Sequence, residues 1–306
     1  MKISEILAGS KHTFPSIEIV PPLNGMSKTE LLDKVRTFME FSPKYINLPC
    51  HRDEYAFRKE SDGTYTRHLV RNRISEVAVC AAIQAEFDID VVPHVICGGT
   101  SAEESDLYNY RFLGISNLMA LRGDSVSGEK RFTPHPSGYS HANELVEAIR
   151  RFDAQSEESF CIGVGGYPEK HFECANIETD ILNLKRKVDA GADYIITQMF
   201  FDNSVFYSYV EKCRKAGINV PIIPGLKPLS SAKQIALLPQ SFSLDIPKEL
   251  TDAVRDAGDD KEEVYRIGTE WCIKQCKDLI KNEVPAVHFY TMGKTRNITQ
   301  IMRECF

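Results

Sequence analysis

Short apolar runs separated by longer stretches of helical periodicity dominate the chain between residues 16 and 291. Eight runs read as strands: 16–20 (SIEIV), 44–48 (KYINL), 89–96 (IDVVPHVI), 115–121 (ISNLMAL), 160–166 (FCIGVGG), 193–200 (DYIITQMF), 220–225 (VPIIPG) and 286–291 (AVHFYT). Most are unbroken rather than alternating, the pattern of parallel strands covered on both faces. Between and after them lie eight helical patterns, at 27–41, 74–87, 101–114, 142–152, 177–192, 203–217, 231–239 and 261–282. Ser27 with Glu30, and Ser101 with Glu104, have the spacing of a capping box. Gly114, Gly191 and Gly217 stand where helices should stop. Strand and helix alternating in this way predict a (β/α)8 TIM barrel. The rival is a doubly wound open sheet. To bind a dinucleotide it needs a Gly-x-Gly-x-x-Gly turn after an early strand, and the chain has none. The stretch 239–262 reads as an insertion before the last helix, and no repeat or linker interrupts the chain, so 1–306 reads as one domain.

Composition narrows the class further. The chain is 42% hydrophobic and 26% charged, the profile of a folded globular protein. A net charge of -6 provides no basic face for nucleic acid or an anionic membrane. No apolar run approaches the ~20 residues of a membrane span. The opening MKISEILAGSKHTF lacks the apolar core of a signal peptide, so a cytoplasmic location is expected. The nine cysteines are scattered, odd in number and without a Cys-x-x-Cys pair. They read as reduced, mostly apolar side chains, and no metal site is expected.

Barrels of this kind build their sites at the C-terminal ends of the strands and in the loops that follow. Those places hold Glu18, His94, the Arg122–Gly123–Asp124 triplet, Tyr167, Glu169, His171, Thr197, Gln198, His288, Tyr290 and Thr291. Each has an ordinary structural explanation taken alone. Glu18 can pair with a buried lysine, His94 can be a satisfied core histidine, and Gln198 can tie two loops together. Converging on one rim, acids, imidazoles, amides and an Arg–Asp pair mark a small-molecule site. In the 177–192 helix, Asn183, Arg186 and Lys187 fall within one turn. Basic residues late in a helix offset its dipole. Three in succession, at 185–187, still leave one to reach an anionic ligand at the rim.

The segments IEIVPP, PHVIC, ALRGD, GGYPEKH, DILNLKRKVDAGADYIITQMFFD, IIPGLKPLSSAKQ and HFYT occur in an order and spacing that resemble the methylenetetrahydrofolate reductase family, from about residue 12 to residue 295. The resemblance implies a barrel that binds FAD non-covalently without a Rossmann motif. It implies catalytic roles for Glu18 and Asp124, and folate contacts from Gln198, Gln234, Tyr290 and Met292. It implies FAD contacts from His94, Arg122, Gly123, Asp124, Gly165, Tyr167, His171, Asp180, Asn183, Arg186 and Lys187. The implied reaction reduces 5,10-methylenetetrahydrofolate to 5-methyltetrahydrofolate with NADH or NADPH, in a homo-oligomer of two or four copies and without a C-terminal regulatory domain. Two positions depart from the family pattern. Pro49 stands where a threonine touches the flavin, which leaves Cys50 or His51 to replace that contact, and Leu238 stands where bacterial relatives carry a phenylalanine. A corrinoid-linked pterin methyltransferase and a non-catalytic flavin- or folate-storing barrel are the alternative readings.

Overall fold

The computed structural model describes residues 1–51, 54–97, 106–125, 132–134 and 138–306. Along the chain run β1 (Phe14–Glu18), β2 (Tyr45–Leu48), β3 (Glu54–Lys59), β4 (Tyr65–Val70), β5 (Asp90–Ile96), β6 (Asn117–Leu121), β7 (Cys161–Gly166), β8 (Tyr194–Met199), β9 (Ile222–Leu226) and β10 (Ala286–Tyr290). All but β3 and β4 close into one barrel in the order β1-β10-β9-β8-β7-β6-β5-β2. Every pairing in it is parallel. These are the eight expected strands, with ends moved by a residue or two. β3 and β4 form a separate antiparallel hairpin.

The helices are α1 (Ile3–Gly9), α2 (Lys28–Met39), α3 (Glu76–Phe87), α4 (Leu107–Phe112), α5 (Ala142–Asp153), α6 (Ile177–Asp189), α7 (Asn203–Lys215), α8 (Gln234–Phe242), α9 (Lys248–Asp256), α10 (Lys261–Lys281) and α11 (Arg296–Cys305). The capping box at α2 forms as expected, with Ser27 accepting from the Glu30 amide and Glu30 reaching back. Ser101 and Glu104, the expected opening of the helix before Gly114, lie outside the described residues. The 239–262 stretch is not merely an insertion. It contains α9, and Leu238, Leu250 and Val254 join Met199, Phe201 and Val264 in a satellite core.

Within the apparently unbroken strands the two faces differ. Ile17, Ile46, Val95, Leu118, Val164, Ile195 and Phe289 point outward to the main core beneath the helices. Phe14, Tyr45, Val92, Met119, Tyr194 and Ile223 fill the lower lumen. From below, α1 closes that lumen with Ile3 and Leu7, both buried. Asn117 fastens the plug, accepting from the Ile3 amide at 2.8 Å and donating to the Met1 carbonyl at 2.9 Å. Gly163 makes room for Tyr194, since a Cβ there would stand 2.4 Å from the ring. Among the described residues α1 thus covers the bottom of the barrel, leaving the C-terminal end of its strands as the face to consider.

Candidate active site at the barrel rim

Glu18 ends β1, level with Asn47 of β2 and Tyr290 of β10. It is 8% exposed, and burial pushes its carboxyl from the ordinary 4.5 up to about 7. The layer beneath explains why nothing opposes that push. Ser16 accepts from the Asn47 amide at 3.2 Å and shares a 3.0 Å hydrogen bond with His288 Nδ1. Burial lowers both His288 and His94 to about 3, so both imidazoles are neutral. The floor under Glu18 is therefore polar, and among the described residues it carries no cation to hold a carboxylate. His94 Nε2 and Asn47 Oδ1 are buried there without a hydrogen-bond partner among the described residues. Above, Tyr290 donates its hydroxyl to the Thr197 carbonyl at 2.8 Å, and Thr291 Oγ1 donates to the Glu18 carbonyl at 2.8 Å.

A cationic, aromatic cluster occupies the neighbouring arc, over β6, β7 and α6. Arg122 pairs with Glu173 and lies 4.9 Å from the Phe132 ring centroid. Gly123 has φ +82, and a Cβ there would come within 3.1 Å of Ile96. Backbone conformation and packing thus both demand glycine. Asp124 follows, exposed, and its charge acts on His51 and Tyr167. Tyr167 meets His171 edge-on at 4.7 Å, and His171 tilts over Phe172 at 4.6 Å. Lys187 Nζ donates to the Gly165 carbonyl at 2.5 Å and lies 5.7 Å from the Tyr167 centroid. Burial lowers its ammonium to about 8, with Asp180 pulling the other way. Asp180 accepts from the His171 amide at 3.2 Å, and burial raises its carboxyl. At Gly165 a Cβ would touch only Leu121, at 3.3 Å, and the Tyr167 hydroxyl, at 3.7 Å. Even a methyl there would press on Leu121, so β7 is bare of a side chain at this point, beside the Lys187 ammonium.

The structure brings most of the expected residues together, with distinctions. Of the three consecutive basic residues on α6, only Lys187 turns to the barrel. Lys185 pairs with Asp189, and the exposed Arg186 donates to Asn183 Oδ1 at 3.0 Å. Asn183 also donates to Cys174 Sγ at 3.7 Å. His94 lies in the lumen floor, apart from the cationic arc, where its charged neighbours would be His288 and His51. Gln198 accepts from the Met199 amide at 2.9 Å. Gln234, Tyr290 and the exposed Met292 border one small cavity over β9 and β10. Leu238 faces the satellite core instead. After Pro49, the Cys50 thiol bonds to Glu76 and burial pushes it up, while His51 stands within the field of Asp124. Two residues of the cavity over β9 and β10, Lys227 and Lys294, escaped the sequence reading. Lys227 follows an apolar strand directly in PGLKPL, where a lysine reads as the start of an exposed loop.

Residues 2–305 match the family model described as methylenetetrahydrofolate reductase. Methylenetetrahydrofolate reductase 1 of Schizosaccharomyces pombe is 37% identical over 224 residues, 72% of this chain and 36% of that protein. The 5,10-methylenetetrahydrofolate reductase of Buchnera aphidicola is 30% identical over 282 residues, 92% of this chain and 87% of that protein. The chain spans about half, or less, of the length of most of the curated relatives it matches. Among solved structures, a Clostridium thermocellum protein that binds two copies of 5-methyl-5,6,7,8-tetrahydrofolic acid superposes with a TM-score of 0.60 at 12% identity, over 99% of this chain and 97% of that chain. That likeness shows the fold alone.

Proposed function

The chain belongs to the methylenetetrahydrofolate reductase family, and from that premise we propose that it reduces 5,10-methylenetetrahydrofolate to 5-methyltetrahydrofolate, using electrons from NADH or NADPH passed through bound FAD. The observation that carries this reading is Glu18, a buried acid at the mouth of the barrel with its carboxyl raised to about 7.

The residues of the cationic arc fit FAD. Gly165 leaves the backbone of β7 bare between Leu121 and Tyr167, which lets a flat group approach it there. Lys187 and Arg122 supply positive charge for a diphosphate, with Glu173 as the partner that Arg122 would share or exchange. Tyr167, His171 and Phe172 supply aromatic surface. When bound, FAD supplies a ring that takes hydride from a nicotinamide and delivers it to the one-carbon unit of the folate.

The protein's own part is the proton and the charge. The five-membered ring of the substrate opens to an iminium when a folate nitrogen is protonated. A carboxyl with its pKa near 7 still carries a proton in much of the population at neutral pH, and Glu18 gives that proton to the nitrogen. The uncharged Ser16–Asn47–His288–His94 floor favours the protonated form beforehand, since no cation among the described residues there rewards ionisation. Asp124, at the end of the Arg122–Gly123–Asp124 turn, sets a carboxylate against the developing cation. Two acids with different surroundings thereby take opposite parts.

Glu18→Gln tests this. The variant is expected to bind FAD and oxidise NADH or NADPH with a substitute acceptor, while its folate step slows by about two orders of magnitude or more. Equal loss in both half-reactions, or loss in neither, overturns the role of Glu18. A purified protein without the visible absorption of a flavin, and unable to take up FAD, favours the corrinoid-linked alternative.

A further inference from the structure

Helix α11 follows β10 and packs along α10, and its end brings one sulfur against another. Ile298, Ile301 and Met302 bury one face of α11 in the main core. Phe306 meets the Phe289 ring edge-on at 6.4 Å, and Lys277 of α10 pairs with Glu304 of α11 at 3.5 Å. The end of the helix is therefore seated rather than frayed. Cys305, its last residue, is half-buried, and its Sγ lies 3.9 Å from the Ile273 carbonyl, one turn before Cys276. Cys276 is fully buried, and its S–H donates to the Cys305 sulfur. Cys97, Cys161 and Cys174 are bonded to oxygen or nitrogen instead, at the Leu121 carbonyl, Ser4 and Asn183.

The two thiols of the pair differ. The bond from Cys276 foremost, and the Lys277 ammonium, hold the Cys305 thiol below its ordinary value, against burial and the Glu304 carboxylate. Donating that bond, and burial with it, push Cys276 up. One sulfur is thus reachable from solvent and more readily ionised. The other is a protonated thiol held against it and out of water. That is the division between a sulfur that an oxidant attacks and a sulfur that resolves the product. Cys272, four residues earlier on α10, is 1% exposed and close enough to feel the charge of Cys305, so it is the rival resolving thiol.

We propose that Cys305 and Cys276 form a hydroperoxide-sensitive pair whose oxidation staples α11 to α10. The Cys305 thiolate attacks a peroxide oxygen. An S–O bond forms, the O–O bond breaks and hydroxide leaves, so the sulfur is oxidised by two electrons and the peroxide is reduced by two. The Cys276 sulfur then attacks the sulfenic acid. An S–S bond forms, the S–O bond breaks, and the hydroxyl departs as water with the Cys276 proton. A dithiol reductant reverses the change. The cross-link closes a loop that runs from Cys276 through β10 to Cys305, and so takes freedom from the unfolded chain. Neither thiol is among the residues proposed above for flavin or folate.

The test treats the reduced full chain with a few equivalents of hydrogen peroxide, then unfolds it, alkylates the remaining thiols and reads the peptides by mass spectrometry. The wild type is expected to yield a Cys276–Cys305 peptide pair lacking two hydrogens, with Cys272 still alkylated. Without reductant its melting temperature should rise by about 5 °C, and dithiothreitol should cancel the rise. Cys305→Ser should lose both effects and melt as the reduced wild type does. Cys276→Ala should carry Cys305 on to the sulfinic acid, since its resolving thiol is gone. Cross-linking through Cys272, oxidation that stops at Cys305 in the wild type, or a Cys305 thiol untouched while buried thiols oxidise would each overturn the pair. A linked protein that melts no higher than the reduced one overturns the staple.

Discussion

If burial alone raises Glu18, the protein's stability must record it. The folded carboxyl sits at about 7 against an ordinary 4.5. For an acid raised on folding, the stabilising contribution is complete below the unfolded value and is lost as pH climbs through the folded one. At ~1.36 kcal/mol per pH decade, ionising Glu18 costs the fold roughly 3 kcal/mol once pH is well above 7. At pH 5.5 the cost is about 1.4 kcal/mol, because only the first decade above 4.5 has been crossed. Glu18→Gln replaces the acid by a neutral group of the same shape and removes the cost. Urea unfolding of both proteins without ligand should thus show the variant gaining about 2 kcal/mol on the wild type between pH 5.5 and 8.5. In the same window the wild-type folate step should fall as pH rises through about 7, since the proton donor is lost. A stability difference that stays flat from pH 5.5 to 8.5 would mean that something holds the carboxylate, and the proposed proton donor would be wrong.

Other expectations rest on single contacts. Lys187→Met removes the cation bonded to the Gly165 carbonyl and should weaken FAD about 10- to 100-fold, read from the flavin fluorescence released on dilution; unchanged affinity would remove Lys187 from the FAD site. Gly163→Ala forces a methyl to 2.4 Å from the Tyr194 ring and should cost about 3 kcal/mol or more, read by thermal unfolding, with part of the loss recovered when Tyr194→Val is added. Ile3→Ala should cost about 2–4 kcal/mol and speed amide exchange in α1, because Ile3 is fully buried where the plug meets the barrel.

How much of this was legible depends on whether the evidence lies in neighbouring residues or in distant ones. The eight barrel strands were readable because helices cover one face and the lumen the other, leaving runs such as 193–200 with few polar breaks. The first strand was placed two residues late, since Pro15 looks like a boundary and instead lies inside β1. The plug α1 spans only seven residues, too few for a helical period to stand out. Its contacts come from Asp90 and Asn117, 89 and 116 residues beyond Met1. The β3–β4 hairpin was hidden for the opposite reason. Its strands face solvent, so charged residues fall where a core strand would be apolar, and only the Asp62–Gly63 turn marked it.

The same division runs through the site. Glu18 was visible because an acid inside an apolar run is anomalous on its face. Lys227 was not, because its burial is made by the chain near α8 and the turn after β10, and a lysine after Gly225 and Leu226 reads as the start of an exposed loop. Between these extremes lies α6, where three basic residues were offered and one was needed. Asp180, Ile181 and Leu184 are its buried stripe. Lys187 falls seven residues after Asp180 and three after Leu184, on one flank of that stripe, Lys185 falls four after Ile181, on the other flank, and Arg186 lies opposite. Helical arithmetic therefore excludes Arg186, which ends in solvent bonded to Asn183 one turn back, but it does not separate Lys187 from Lys185, and the burial of Asp180 decides that choice in the fold.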